Sequence, residues 1–298
     1  MVKIESLVGG IFPKSDELRL LIGRWERNLI KTDELESHII RETDKFDKIA
    51  EGIIHTEPLY NWYDIFRPVA SLFDGVNIGP LTRFEETNTF YRIPEFSDSY
   101  EIKKSPLDFS DIKDNLPFPL FKGSEKSVLF IPGPLTMTKF SRIPLKMKEE
   151  EFMESIARNY ALLLDHYEDN REIFLMERVP LCDNYSKIIS KYIDTGRIYL
   201  FTSGDLKDEN FSDKTIKFKA IITNLNEHNI EIAEKFSTVL GIKIIDAHNT
   251  KVENEIYIAN IIKNLSLNKV IISPNDYFDF LPRKIAERKI ELMYKIGE

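Results

Sequence analysis

The sequence predicts an α/β fold of the (β/α)8 TIM barrel type, as a single domain over residues 1–298, and three observations carry that reading. Short β-branched runs alternate with longer amphipathic segments. Eight such runs qualify as strands: 7–12, 52–55, 127–131, 173–176, 198–201, 216–220, 242–245 and 270–272. The length of 298 residues suits one barrel of about 250 residues with an insertion.

Taken in order, residues 7–12 read as the first strand, ending in the small-residue turn Gly9-Gly10. Residues 16–28 form a helical pattern with Leu18, Leu21, Ile22 and Trp25 on one face. Thr32 is the expected N-cap of the next helix, with Glu34 and Glu36 near its start, and that helix runs to residue 50. After the strand at 52–55, the alternation breaks. Residues 74–123 read as a loop-rich insertion carrying Pro80, Pro94, Pro106, Pro117 and Pro119. Insertions of that size usually carry function or cover a site. A helix follows at 150–167, and the remaining strands are divided by helical patterns at 185–193, 227–240, 254–264 and 282–294. Apolar strands separated by helices call for a parallel sheet covered on both faces.

Composition narrows the function classes. Hydrophobic residues are 42% and charged residues 30%, the balance of a globular chain with a sizeable core. The net charge of −8 disfavours nucleic-acid binding. Cys182 is the one cysteine, so no disulfide framework and no thiolate-rich metal site is expected. The first twelve residues are too short and too charged for a signal peptide, and no run reaches the roughly 18 apolar residues of a membrane span. A cytoplasmic chain without a membrane partner is expected.

In such barrels the chemistry gathers where strands end. Those ends supply Glu57, Glu177, Asp205, Asp246 and His248 as candidates. Asp246 and His248, like His55 and Glu57, are two residues apart and share a strand face. A mixed zinc site is feasible there, but a rim histidine is more often a hydrogen-bonding residue, and the reading is no metal. The Gly-x-Ser-x-Gly, P-loop and Gly-x-Gly-x-x-Gly motifs are absent. Lys14 and Arg19 open the first helix, and Arg83 and Arg92 lie in the insertion. Beside helix N-terminal amides they are suited to a polyanionic ligand such as a polycarboxylate tail.

Residues 83–96 read Arg-Phe-Glu-Glu-Thr-Asn-Thr-Phe-Tyr-Arg-Ile-Pro-Glu-Phe, with Asn88 at the centre. The stretch resembles Lys-Trp-Phe-Asp-Thr-Asn-Tyr-His-Tyr-x-Val-Pro-Glu-Phe in the N-terminal barrel of the cobalamin-independent methionine synthase family. Gly10-Ile11-Phe12-Pro13-Lys14, Tyr63-Asp64, Gly133-Pro134-Leu135-Thr136, Thr202-Ser203-Gly204-Asp205-Leu206, residues 241–249 and Ser273-Pro274 resemble further family segments in the same order.

That resemblance implies a half-enzyme. The family's C-terminal barrel holds zinc through a His-x-Cys pair, a Glu and a distant Cys. Here the pair falls within Leu200 to Ser203 and the distant Cys near Asp276, so the thiolate ligands are missing. The N-terminal barrel is implied to form part of a methyltetrahydrofolate site, with Arg19 and Arg83 gripping the glutamate tail and the 16–19 turn supplying backbone donors. Glu57-Pro58 is similar to a Gly-Glu-Pro segment whose Glu would hold the homocysteine amine, whereas Met176-Glu177-Arg178 departs from the usual Asp-Glu-Pro. The expected function is the accessory, folate-side barrel for methyl transfer to homocysteine. It would bind no cofactor of its own beyond a folate-like donor and work with a separate zinc-bearing catalytic barrel. The alternatives are a self-contained methyl or alkyl transferase with another acceptor, and a non-catalytic binding or regulatory barrel. No catalytic residue is assigned from the sequence.

Overall fold

The computed structural model describes residues 2–83, 90–107, 127–167, 171–265 and 267–297. In chain order the elements are β1 (Lys3–Val8), α1 (Asp16–Trp25), α2 (Thr32–Ile49), β2 (Ile54–His55), α3 (Arg67–Ala70), β3 (Phe73–Arg83), β4 (Phe90–Ile102) and β5 (Leu129–Pro132). There follow α4 (Pro134–Lys139), α5 (Glu149–Leu164), β6 (Ile173–Pro180), α6 (Tyr185–Ser190), β7 (Ile198–Ser203) and β8 (Phe218–Asn224). The chain ends with α7 (Glu227–Phe236), β9 (Ser237–Ile245), α8 (Glu255–Asn264), β10 (Lys269–Pro274) and α9 (Arg283–Gly297). The main sheet has eight strands in the order β2-β1-β10-β9-β8-β7-β6-β5, and β3 and β4 form a separate pair. This is an α/β arrangement that fits a TIM-like barrel. No helix among the described residues is long and apolar enough to cross a membrane.

Packing divides the chain into two compact units. The first comprises Met1–Asn61, Gly123–Val128 and Gly241–Glu298. Here β1 runs parallel to both β10 and β2, with Ser6 opposite Ile272 and Val8 opposite His55. Val128 donates its N–H to the His55 carbonyl at 2.8 Å, immediately before β5 begins. Helix α1 buries Leu18, Leu21 and Ile22, spaced to face the core, and Ser15 caps it by accepting the Leu18 N–H at 3.1 Å. The Phe12 ring packs on Phe46 at 4.8 Å and on Phe278 at 6.4 Å. Helix α9 buries Ala286, Ile290 and Met293 in one stripe, and the buried Ser6 hydroxyl donates to the Met293 carbonyl.

The second unit comprises Trp62–Lys122 and Leu129–Leu240. Strands β5, β6, β7 and β8 pair in parallel, with Leu129 opposite Ile173, Leu175 opposite Leu200 and Phe201 opposite Ile222. Their apolar side chains are almost wholly buried, which accounts for the continuous apolar runs in the sequence. Trp62, Phe130 and Phe174 form an aromatic file, with centroids 5.7 and 5.9 Å apart.

Three expectations shift. The insertion, read as loop-rich, contains a long antiparallel hairpin, β3–β4; residues 108–126 lie outside the described residues. Its prolines misled the reading: Pro80 sits where the register slips between Ile78 and Leu81, so it removes no ladder hydrogen bond there. Side-chain packing then holds the hairpin, through Phe96 on Phe152 and the Ile102 N–H donated to Asn159 Oδ1 at 2.9 Å. The first strand ends at Val8 rather than residue 12, because Gly10 turns the chain at φ +87°. Helix α7 stops at Phe236, where the Ser237 hydroxyl donates to the Ala233 carbonyl and the β-branched Thr238 and Val239 open β9.

Candidate functional site

In the first unit a cleft of about 680 Å³ opens between the start of α1 and the start of α9. Lys14, Ser15 and Arg19 line one side, and Asp279, Phe280 and Lys284 the other. The local sequence explains the opening. Gly10 passes against Tyr277, where a Cβ would approach the Tyr277 Cβ to 2.8 Å, and its N–H is held by Thr56 Oγ1 at 3.0 Å. The chain then reaches Ser15 and enters α1, so Lys14 and Arg19 flank a helix N-terminus. Pro282 immediately precedes α9, a placement suited to a helix start.

Charge in this cleft is mixed. Burial lowers the Lys14 ammonium below its ordinary value, and Asp279 opposes that effect. Burial raises the Asp279 carboxyl, and the positive charges of Lys14 and Arg19 counter it. Arg19 stays over half exposed, with Asp16 at 3.9 Å, a distance that leaves its guanidinium available to a second anion. The arrangement can hold a carboxylate or phosphate group, using two cations beside two helix N-termini.

Also in the first unit, the segment following β9 meets the segment following β10. The His248 Nε2 lies 3.3 Å from Asp276 Oδ2, with Asp276 buried and His248 half exposed. Asp276 is oriented by accepting the Tyr277 N–H on its other oxygen at 2.8 Å, and the Phe280 ring packs 5.0 Å from the His248 ring. A carboxylate beside one imidazole nitrogen sets the ring's orientation, and a half-exposed imidazole so held is placed to exchange a proton with a bound ligand. Asp246 serves as scaffold: its Oδ1 accepts the His248 N–H at 2.9 Å.

The remaining predicted residues fall elsewhere. Glu57 follows β2 in the first unit, and its carbonyl accepts the Thr56 hydroxyl. His55 is buried, edge-on to Phe46, with Nδ1 3.1 Å from the Thr56 carbonyl. Arg83 closes β3 in the second unit, opposite Phe90, and Asn88 lies outside the described residues. Asp205, exposed beyond β7, has Asn226 Nδ2 at 3.4 Å.

Glu177 is wholly buried, and its two oxygens accept from Leu135 N, Thr136 N, Thr136 Oγ1 and Tyr185 Oη at 2.6–3.0 Å. Burial pushes its carboxyl up to about 7, against the lowering effect of those bonds. This carboxylate therefore pins the Gly133-Pro134-Leu135-Thr136 segment at the start of α4. Sequence reasoning treated the two motifs separately.

It also missed Asp276 as the partner of His248, Asp279 in the cleft, and the buried Lys289. Lys289 carried a readable signal, since it interrupts the apolar stripe of α9 between Ala286 and Met293. Among the described residues, no group of three His, Cys, Asp or Glu is placed to hold a metal ion. At Leu200 to Ser203, where the resemblance would place the zinc pair, the buried Leu200, Phe201 and Thr202 with Ser203 supply no imidazole, thiolate or carboxylate.

These features define a TIM-like α/β protein with a cleft of mixed charge and a His–Asp pair. The chain's fold is similar to that of a B12-independent methionine synthase from Shewanella sp. W3-18-1, solved in complex with selenomethionine, with a TM-score of 0.65 at 12% identity over 98% of this chain and 96% of that one. A protein from Listeria monocytogenes assigned as a vitamin-B12-independent methionine synthase matches equally, at TM-score 0.65 and 11% identity over 97% and 95% of the two chains. In sequence, 91 residues are 28% identical to the 5-methyltetrahydropteroyltriglutamate–homocysteine methyltransferase of Thermosynechococcus vestitus. That stretch is 30% of this chain and only 11% of that enzyme. No protein-family profile matches the chain. The comparisons thus name the same enzyme family that residues 83–96 resemble.

Proposed function

We propose that this chain is a methionine-synthase-like barrel for methyl transfer from a methyl-folate donor to homocysteine, contributing the folate side while a separate zinc-bearing barrel activates the thiol. The observation that carries the reading is the cleft of Lys14 and Arg19 at the starts of α1 and α9. A folate glutamate tail is a row of carboxylates, and Arg19 with Lys14 matches that charge. The unfit donor set at Leu200 to Ser203 supports the assignment of zinc to a partner.

Calorimetric titration with 5-methyltetrahydrofolate carrying one or three glutamates tests the first half. The triglutamate is expected to bind more tightly, and Arg19→Ala to weaken it about tenfold, the loss of one charge-assisted pair at about 1.4 kcal/mol. Equal affinity for both ligands, unaffected by Arg19→Ala, would remove the cleft from the reading. Capture of the tagged chain from its native lysate tests the second half: recovery of a zinc-bearing barrel whose homocysteine methylation rises in the mixture is expected.

A second reading, a self-contained methyl or alkyl transferase, is favoured by the His248–Asp276 pair and by the length of the Shewanella chain, matched over 96%. In either reading that pair is the group suited to moving a proton. Methyl transfer by the purified chain alone, lost in His248→Gln, would establish this second reading over the first.

A further inference from the structure

We propose that Lys289 is a positioning residue that acts through Glu253 to hold the 246–248 turn, so that the His248 ring meets Asp276. The proposal rests on the reading of His248 and Asp276 as a proton-transfer pair.

The geometry is a relay of hydrogen bonds within the first unit. Lys289, with no exposed side-chain surface, projects from α9 and donates to Glu253 Oε1 and Oε2 at 2.7 and 2.9 Å and to the Lys251 carbonyl at 2.8 Å. All three ammonium hydrogens are therefore used by a single loop. Glu253 Oε1 also accepts the Asp246 N–H at 2.8 Å, and Asp246 Oδ1 in turn accepts the His248 N–H. On the far side, Asn275 Oδ1 accepts the Ala247 N–H at 2.8 Å while its own N–H goes to the Ile245 carbonyl. Three consecutive backbone amides, those of Asp246, Ala247 and His248, are thus each held by a side chain, and the next residue after Asn275 is Asp276.

A buried ion pair is weak evidence for stability, because apolar residues of similar volume serve as well or better. Its use here is directional. An apolar residue at position 289 would fill the same space in the α9 stripe yet leave Glu253 without its anchor. A side chain that fixes the orientation of a proton-transferring group is worth more than its own contact, since misplacement costs rate steeply.

The test compares full-length 15N-labelled chains by imidazole-detected NMR: wild type, Asp276→Asn, Lys289→Met, and Lys289→Met combined with Glu253→Leu. Asp276→Asn is expected to shift the His248 Nε2 resonance, and Lys289→Met to move it at least half as far in the same direction. The double variant is expected to regain wild-type thermal stability while its His248 signal stays displaced, because the Asp246 N–H still lacks its acceptor. Should Lys289→Met alone fail to fold, the double variant carries the comparison. A wild-type His248 signal in the double variant would overturn positioning alone. An Nε2 resonance indifferent to Asp276→Asn would overturn the pair, and the positioning with it.

Discussion

Glu177→Ala is expected to destabilise the protein by about 3–5 kcal/mol at pH 6. Its carboxyl group takes part in four hydrogen bonds inside the second unit, two of them accepted from the backbone amides of Leu135 and Thr136. Removing it strands both amides without an acceptor, each at about 1–3 kcal/mol, and frees the Tyr185 and Thr136 hydroxyls in a dry site. Thermal unfolding followed by circular dichroism should show the melting temperature lowered by several degrees. A loss under about 1 kcal/mol would mean that α4 holds its start without the carboxylate.

The same residue gives a pH signature. Burial raises its carboxyl from 4.5 to about 7, so the folded state binds a proton that the unfolded chain releases between those values. Its contribution is fully present below pH 4.5 and is lost as pH rises through 7, an effect of about 3 kcal/mol for a shift of that size. Relative to the non-titrating Glu177→Gln, the wild type is therefore expected to lose stability between pH 5 and 8. Urea unfolding of both proteins across that range checks the sign. A stability difference flat with pH would contradict it.

Gly133→Ala is expected to cost about as much as the loss of Glu177 itself. The backbone there, at φ −61°, would accept alanine readily. The obstacle is steric: a Cβ would stand 2.0 Å from the Glu177 carboxyl carbon and under 2.5 Å from both its oxygens. That carboxylate cannot step aside without breaking its four bonds. The two sites should therefore be strongly coupled, and in a Glu177→Ala background Gly133→Ala should cost under about 1 kcal/mol. Additive losses in the double-mutant cycle would show that glycine is required there for another reason.

The resemblance of residues 83–96 to the methionine synthase family proved a sound guide to fold, although the sequence match covers only 30% of the chain and the solved structures are 11–12% identical. The reason is that a fold of this kind needs a pattern rather than particular residues. Strands β5 to β8 read as unbroken apolar runs because both their faces are buried, and their existence was legible though their ends were not. The hairpin β3–β4 was not legible, since its prolines and glycines signal a loop unless the pairing register is known.

For the site, the sequence by itself determined the chemistry available: no zinc donors at 200–203, one cysteine, Lys14 and Arg19 at a helix start, and a histidine two residues after Asp246. Local spacing carries that information, because a helix start or a strand end is set by neighbouring residues. Tertiary structure alone decided which groups meet. It brought His248 to Asp276, 28 residues on, withdrew Glu177 into four hydrogen bonds, three of them with Leu135 and Thr136 more than 40 residues away, and set Lys289 against Glu253. Such pairings depend on which strands are neighbours in the sheet and how deeply each side chain is buried, and no periodicity in the chain encodes either.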